Sequence, residues 1–110
     1  MKKYKFGDII LLAFPFSGAN IAKQRPALVL KDTGDDDIIA ARITSQKQET
    51  EFDLQIKHWR ESGLLLPSII RIHKIATLNK SLIKKEIGNL SIEDSMAVSA
   101  YISKFWKIPD

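Results

Sequence analysis

Lys23-Gln24-Arg25-Pro26-Ala27-Leu28-Val29-Leu30 is the stretch that decides the fold. A polar, glycine-containing segment, Ser17 to Gln24, ends in an arginine and a proline, and a short apolar run follows at once. Pro26 fixes its own φ and pushes Arg25 into an extended conformation. Ala27 to Leu30 is too short and too apolar for an exposed helix, so it reads as a buried strand. Arg25 is thus carried at a stiff point where a loop meets the core, a position suited to holding a phosphate.

Working outward, Asp32-Thr33-Gly34-Asp35-Asp36-Asp37 follows the strand with strong hairpin chemistry. A further strand over Ile38 to Thr44 then puts Ile39, Ala41 and Ile43 on one face and Ile38, Ala40, Arg42 and Thr44 on the other. On the N-terminal side, Gly7-Asp8 is a turn signal, Ile9 to Phe14 reads as a largely buried strand, and Pro15 stops it. Beyond the hairpin, Phe52 to Lys57 alternates as a half-exposed strand, and His58 to Gly63 is a connector. Ser68 to His73 is a fifth strand with Arg71 and His73 on one face. Leu78 to Ile83 reads as a short helical turn and Lys84 to Leu90 as a last strand. Ser91 caps a helix with acids in its first turn, and Met96, Val98, Tyr101, Ile102 and Phe105 supply its apolar face up to Trp106. Many short strands and one C-terminal helix make a mostly β fold, a small antiparallel barrel in a single domain over residues 1–110.

The chain has 110 residues, 45% of them hydrophobic, and no cysteine, so a single core is expected without a disulfide framework or a thiolate metal site. The N-terminus lacks a signal-type apolar stretch, and no apolar run reaches membrane-spanning length, which reads as a soluble, cytoplasmic protein with no membrane partner. The net charge is +4. Residues 1–53 carry eight basic and eight acidic side chains, while residues 54–110 carry nine basic and five acidic. The excess between Lys57 and Lys85 suits a polyanion or an acidic protein tail; an ordinary solvated lysine surface is the other reading.

Three groups of residues carry candidate chemistry. If the acidic turn makes a hairpin, Arg25 and Thr44 meet at its open end, with Arg42 and Ser45 beside them. Arginine grips phosphate bidentately, and a neighbouring hydroxyl donates to a phosphoryl oxygen. Arginine and threonine are common near strand ends, so the residues alone read first as Arg25 pairing with a surface acid and Thr44 as a plain strand former. His58 and His73 have the titration range of an acid–base pair but no recognisable spacing; His58 reads as surface, and His73 shares a face with Arg71. Among the aromatic residues, Phe14 and Phe105 read as core, and Phe16, beside the loop, is the candidate base platform. The acids cluster only in the Asp35–Asp37 turn, so no metal or other cofactor is expected.

Gly7-Asp8-Ile9-Ile10, Phe14-Pro15-Phe16-Ser17 and Lys23 to Leu30 together resemble the N-terminal signature of PemK/MazF-like toxins. The similarity continues in order through Ile43-Thr44-Ser45-Gln46, Gly63-Leu64 with Pro67-Ser68, Arg71, and Ile87-Gly88-Asn89-Leu90-Ser91. The resemblance implies an SH3-like barrel that dimerises, cleaves single-stranded RNA without metal, and is held in check by a small acidic antitoxin. It assigns the catalytic pair to Arg25 and Thr44. The residues then expected to touch RNA are Phe16, Ser17, Lys23, Gln24, Arg42, Ser45, Gln46, Arg71 and His73. Toxins of the same fold that poison DNA gyrase are the alternative, on the strength of Trp106 after the last helix, and a catalytically silent RNA-binding relative is another.

Overall fold

The structure, a computed structural model, describes residues 2–14 and 23–107. The chain runs β1 (Asp8–Phe14), β2 (Lys23–Asp32), β3 (Asp37–Thr44), β4 (Asp53–Gln55), β5 (Ile69–Asn79), a 3-10 turn (Lys80–Leu82), β6 (Ile83–Asn89) and α1 (Ile92–Phe105). The strands form one six-stranded sheet in the order β4-β5-β3-β2-β1-β6, antiparallel throughout. The acidic turn does build the β2–β3 hairpin. Gly34 takes φ +86°, which its missing Cβ permits, and the Asp32 and Asp35 carboxylates accept the Gly34 and Asp37 amides at 2.8 and 2.9 Å.

Alternation along the bent strands sends apolar side chains to both faces of the sheet. Ile9, Leu28, Ala41, Ile43, Ile70 and Ile72 form one buried cluster, which Val98, Tyr101 and Ile102 of α1 cover. Ile10, Leu12, Ala27, Val29, Ile38 and Ala40 form the second, under Tyr4, Leu78, Leu82 and Ile83. The helix is fixed at its start: Ser91 Oγ accepts the Asp94 amide at 3.1 Å. The buried Asp94 carboxylate in turn accepts the amides of Lys57 and His58 at 3.0 and 2.9 Å. Two otherwise orphaned N–H groups of the connector after β4 are thereby satisfied by the helix cap.

The sheet's edges, β4 and β6, are bridged by the segment 56–68. Gly63 and Gly88 make the seam. A Cβ on Gly88 would lie 2.2 Å from the Ser62 carbonyl oxygen, and one on Gly63 would lie 2.5 Å from the Ile87 carbonyl oxygen. Gly63 also has φ +93°. Only glycine lets the two backbones approach so closely.

Several expectations shift. Lys23 and Gln24 are not loop residues: they pair with Phe14 and Ala13, so β2 already includes Arg25 and Pro26. Pro26 is tolerated because the β3 ladder ends at Ala27, leaving β2 paired on one side only. The fourth strand shrinks to three residues. The fifth extends to Asn79 because β3 offers pairing along its whole length, after a register shift between Ala41 and Arg42. Met96 is 68% exposed and not part of the helix's buried face. It lies two residues before the buried Val98, on the far side of a 3.6-residue turn. The side chain of Phe14 falls outside the described residues.

Asp32 ties the hairpin to the rest of the chain. Its carboxylate accepts the amides of Tyr4 and Gly34, each at 2.8 Å, and pairs with Lys80 Nζ at 3.0 Å. The Tyr4 amide, then the Gly34 amide and Lys80, hold its pKa down at about 2. A depressed carboxylate contributes stability that is present above the unfolded value, near pH 4, and lost as pH falls through the folded value. Unfolding followed by circular dichroism should therefore show stability falling between about pH 4 and pH 2, and Asp32→Asn should flatten that acid limb.

Candidate active site

The β2–β3 ladder stops at Ala27 opposite Arg42, two residues short of Arg25 and Thr44. Continued in register, Arg25 would oppose Thr44. Instead the strands part there and a cavity of about 510 Å³ opens, lined by both residues and by Arg42, Ser45 and Gln46. Odd residues of β2 and even residues of β3 share a face, since Ala27 and Ala40 belong to one cluster. Arg25 and Thr44 have that parity, and Leu11, Pro26 and Ile43 of the opposite parity line the same cavity, so it opens at the strand ends and not on one face of the sheet.

Among the described residues, no carboxylate lies within ion-pair distance of Arg25 or Arg42. Of the two readings the residues left open for Arg25, pairing with a surface acid finds no partner among the described residues. Thr44 Oγ1 accepts the Gln46 amide at 3.1 Å. That bond orients the hydroxyl and uses an acceptor lone pair, so its proton remains available to a ligand. Two guanidinium groups and an oriented hydroxyl donor in one cleft have the chemistry to grip an oxyanion such as a phosphate.

The opposite wall was not legible as a site. It consists of Gly63 to Leu66 and Ser68 from the bridging segment, and Lys85, Glu86 and Ile87 from β6. Leu64 is buried and anchors the wall, while Leu65 is 92% and Leu66 58% exposed. Ser68 Oγ donates to the Leu66 carbonyl at 2.8 Å, fixing the far end of the turn. Three consecutive residues of a regular strand cannot line one cavity. They do so here because β6 shifts register against β1 between Ile9 and Ile10 and again between Leu11 and Leu12. The signals that point to this wall are an apolar run, Leu64-Leu65-Leu66, ending in proline outside any strand, and a strand over 84–90 with poor alternation. Glu86 is the one carboxylate among the described lining residues, and it pairs with Lys2.

Other candidates lie elsewhere. Arg71 Nε donates to Asp53 Oδ1 at 2.9 Å, with the two side chains 14% and 2% exposed. Burial pushes the Asp53 pKa up, but hydrogen bonds from Thr50 and Arg71 outweigh it and the net shift is downward. His73 stacks on Phe52 at 5.0 Å between ring centroids, and its Nε2 lies 3.5 Å from an Arg71 guanidinium nitrogen. Neither Arg71 nor His73 lines the cavity, and neither do Lys23 and Gln24. His58 sits 3.2 Å from Glu93 at the start of α1, also away from the cavity. Phe16 and Ser17 lie outside the described residues.

The family model described as a PemK-like, MazF-like toxin of type II toxin–antitoxin systems matches residues 5–106. Among solved structures, an endoribonuclease from a mycobacterial species has a TM-score of 0.77 at 13% identity, covering 100% of this chain and 97% of that one. An endoribonuclease in complex with its cognate antitoxin, also mycobacterial, has a TM-score of 0.74 at 13% identity over 98% and 99% of the two chains. The MazE–MazF complex of Deinococcus radiodurans has a TM-score of 0.75 at 15% identity over 96% and 98%. At such identities these likenesses establish a shared fold. No curated protein sequence matches the chain. Among the described residues, no helix is long and apolar enough to cross a membrane.

Proposed function

We propose that this chain, which belongs to the PemK-like, MazF-like toxins of type II toxin–antitoxin systems, cleaves single-stranded RNA by attack of a ribose 2′-hydroxyl on the adjacent phosphodiester. The observation that carries the reading is the Arg25 guanidinium, without an ion-pair partner among the described residues, sharing a cavity with the oriented Thr44 hydroxyl. RNA supplies its own nucleophile, so the protein need only align it in line and stabilise the charge that builds on phosphorus. Arg25 grips the non-bridging oxygens, Thr44 donates a hydrogen bond to the same phosphate, and Arg42 and Ser45 hold the strand around it.

The 2′-oxygen forms a new bond to phosphorus as the 5′-oxygen leaves. The products are a 2′,3′-cyclic phosphate and a 5′-hydroxyl end. The 2′-proton passes to a general base as the 2′-oxygen attacks. Arg25 supplies the proton to the leaving oxygen, a role carried by the family resemblance. No step requires a metal ion.

The reading includes a homodimer acting in the cytoplasm and an acidic antitoxin whose tail competes for the cationic cavity. The relatives solved with an antitoxin support that part. The test is to incubate the purified protein with mixed single-stranded RNA in EDTA and map the ends. Cleavage leaving 5′-hydroxyl ends is expected; intact RNA, or cleavage only when divalent metal is restored, would overturn the reading.

A further inference from the structure

We propose that Lys85 binds a second phosphodiester of the same strand, next to the one gripped by Arg25 and Thr44, so that the cavity holds two consecutive phosphates between its walls. The inference rests on the RNA-binding reading of the cavity. Lys85 lines the same cavity as Arg42 and Thr44, and among the described residues it has no ion-pair partner. Glu86 beside it is already engaged by Lys2.

Position favours a second phosphate over the first. Lys85 is in register with Leu11, and Arg25 with Leu12, so β1 lies between them. Two strand spacings separate the backbones by about 10 Å. A phosphate held against Arg25 and Thr44 leaves the Lys85 ammonium to its neighbour along the chain. A lysine is also the suitable residue for that place, because it acts as a point charge on a flexible stem and follows a backbone without reading bases.

The strand is built to present it. The register jumps from Leu11↔Lys85 to Leu12↔Ile83, which leaves Lys84 unopposed at a bulge. Lys84 does not line the cavity, although it is adjacent in sequence and carries the same charge. The pair therefore forms an internal control: removing either lysine changes the net charge equally, and only one removes a cation from the cavity.

The experiment measures binding of the full chain to uniformly 2′-O-methylated RNA, which has no nucleophile, as two-nucleotide and eight-nucleotide oligomers across a salt series. For Lys85→Ala, the Kd for the longer oligomer should rise about tenfold at low salt, and the slope of log K against log salt should fall by about 0.7, the value for one phosphate contact on a single strand. The loss on the two-nucleotide oligomer, which has a single phosphate, should be several-fold smaller. Lys85→Arg should restore the slope, and Lys84→Ala should leave it where it was. Equal effects of the two alanine variants, or an unchanged slope for Lys85→Ala, would overturn the assignment. Failure of the parent chain to bind the longer oligomer would do so too. Because binding is read without cleavage, a parent chain that binds but does not cut natural RNA counts against the cleavage reading alone.

Discussion

Arg25→Ala should lower the rate of RNA cleavage by about 10³-fold, the order seen when one preorganised donor to a developing oxyanion is removed. The fold should survive. Arg25 is partly exposed at the splayed end of the hairpin and makes no ion pair among the described residues, so its truncation should move stability by no more than about 0.5 kcal/mol. Arg25→Lys should recover only part of the loss, because an ammonium keeps the charge but not the planar fork. Single-turnover cleavage beside a thermal melt separates the two effects. A melt shifted as far as the rate would make Arg25 a structural residue, and an undiminished rate would remove it from the chemistry.

Gly88→Ala should produce the largest loss of stability of any single methyl added to this chain. The new Cβ would stand 2.2 Å from the Ser62 carbonyl oxygen and 2.9 Å from its carbon. Both are backbone atoms of a turn pinned by the Ser62 and Leu64 amides to the carbonyls of His58 and Trp59, at 3.1 Å each. Nothing there can rotate aside, so the bridging segment must lift off β6. Overpacking against rigid atoms costs about 3 kcal/mol, or roughly 15 °C in Tm for a domain of this size. Differential scanning calorimetry measures it directly. A variant that melts within a few degrees of the parent would mean that the seam yields, and the wall carrying Leu65 and Lys85 would then not be fixed.

The parts of the molecule that obey local rules were readable from the sequence. The hairpin followed from a Gly-Asp turn between two apolar runs, and the helix from Ser91 and the acids after it. Val98 with Tyr101, Ile102 and Phe105 gave its packed side. Arg25 and Thr44 were placed together because a hairpin's register follows once its turn is known. What was hidden depends on contacts between distant segments. The seam needs Gly63 and Gly88 to meet across 25 positions of chain, and neither glycine announces its partner. Lys85 could not be distinguished from Lys84, because a bulge changes which side chain faces inward without altering the residues that flank it. Arg71 and His73 were grouped correctly by strand alternation, but the carboxylate that engages Arg71 arrives from β4, so sharing a face did not mean sharing a cavity.

The glycine seam also separates two kinds of evolutionary freedom. The bridging segment is held at one end by the contact of Gly63 with β6 and the burial of Leu64, and at the other by the buried Ser68, whose carbonyl accepts the Ile56 amide at 3.0 Å. Leu65, at the tip, is almost wholly exposed. Substitution at the tip changes what the cavity mouth presents and leaves the core untouched, whereas substitution at the glycines changes the core first. A lineage carrying this fold can therefore vary Leu65 and Leu66 at nearly constant stability, while Gly63 and Gly88 stay where they are.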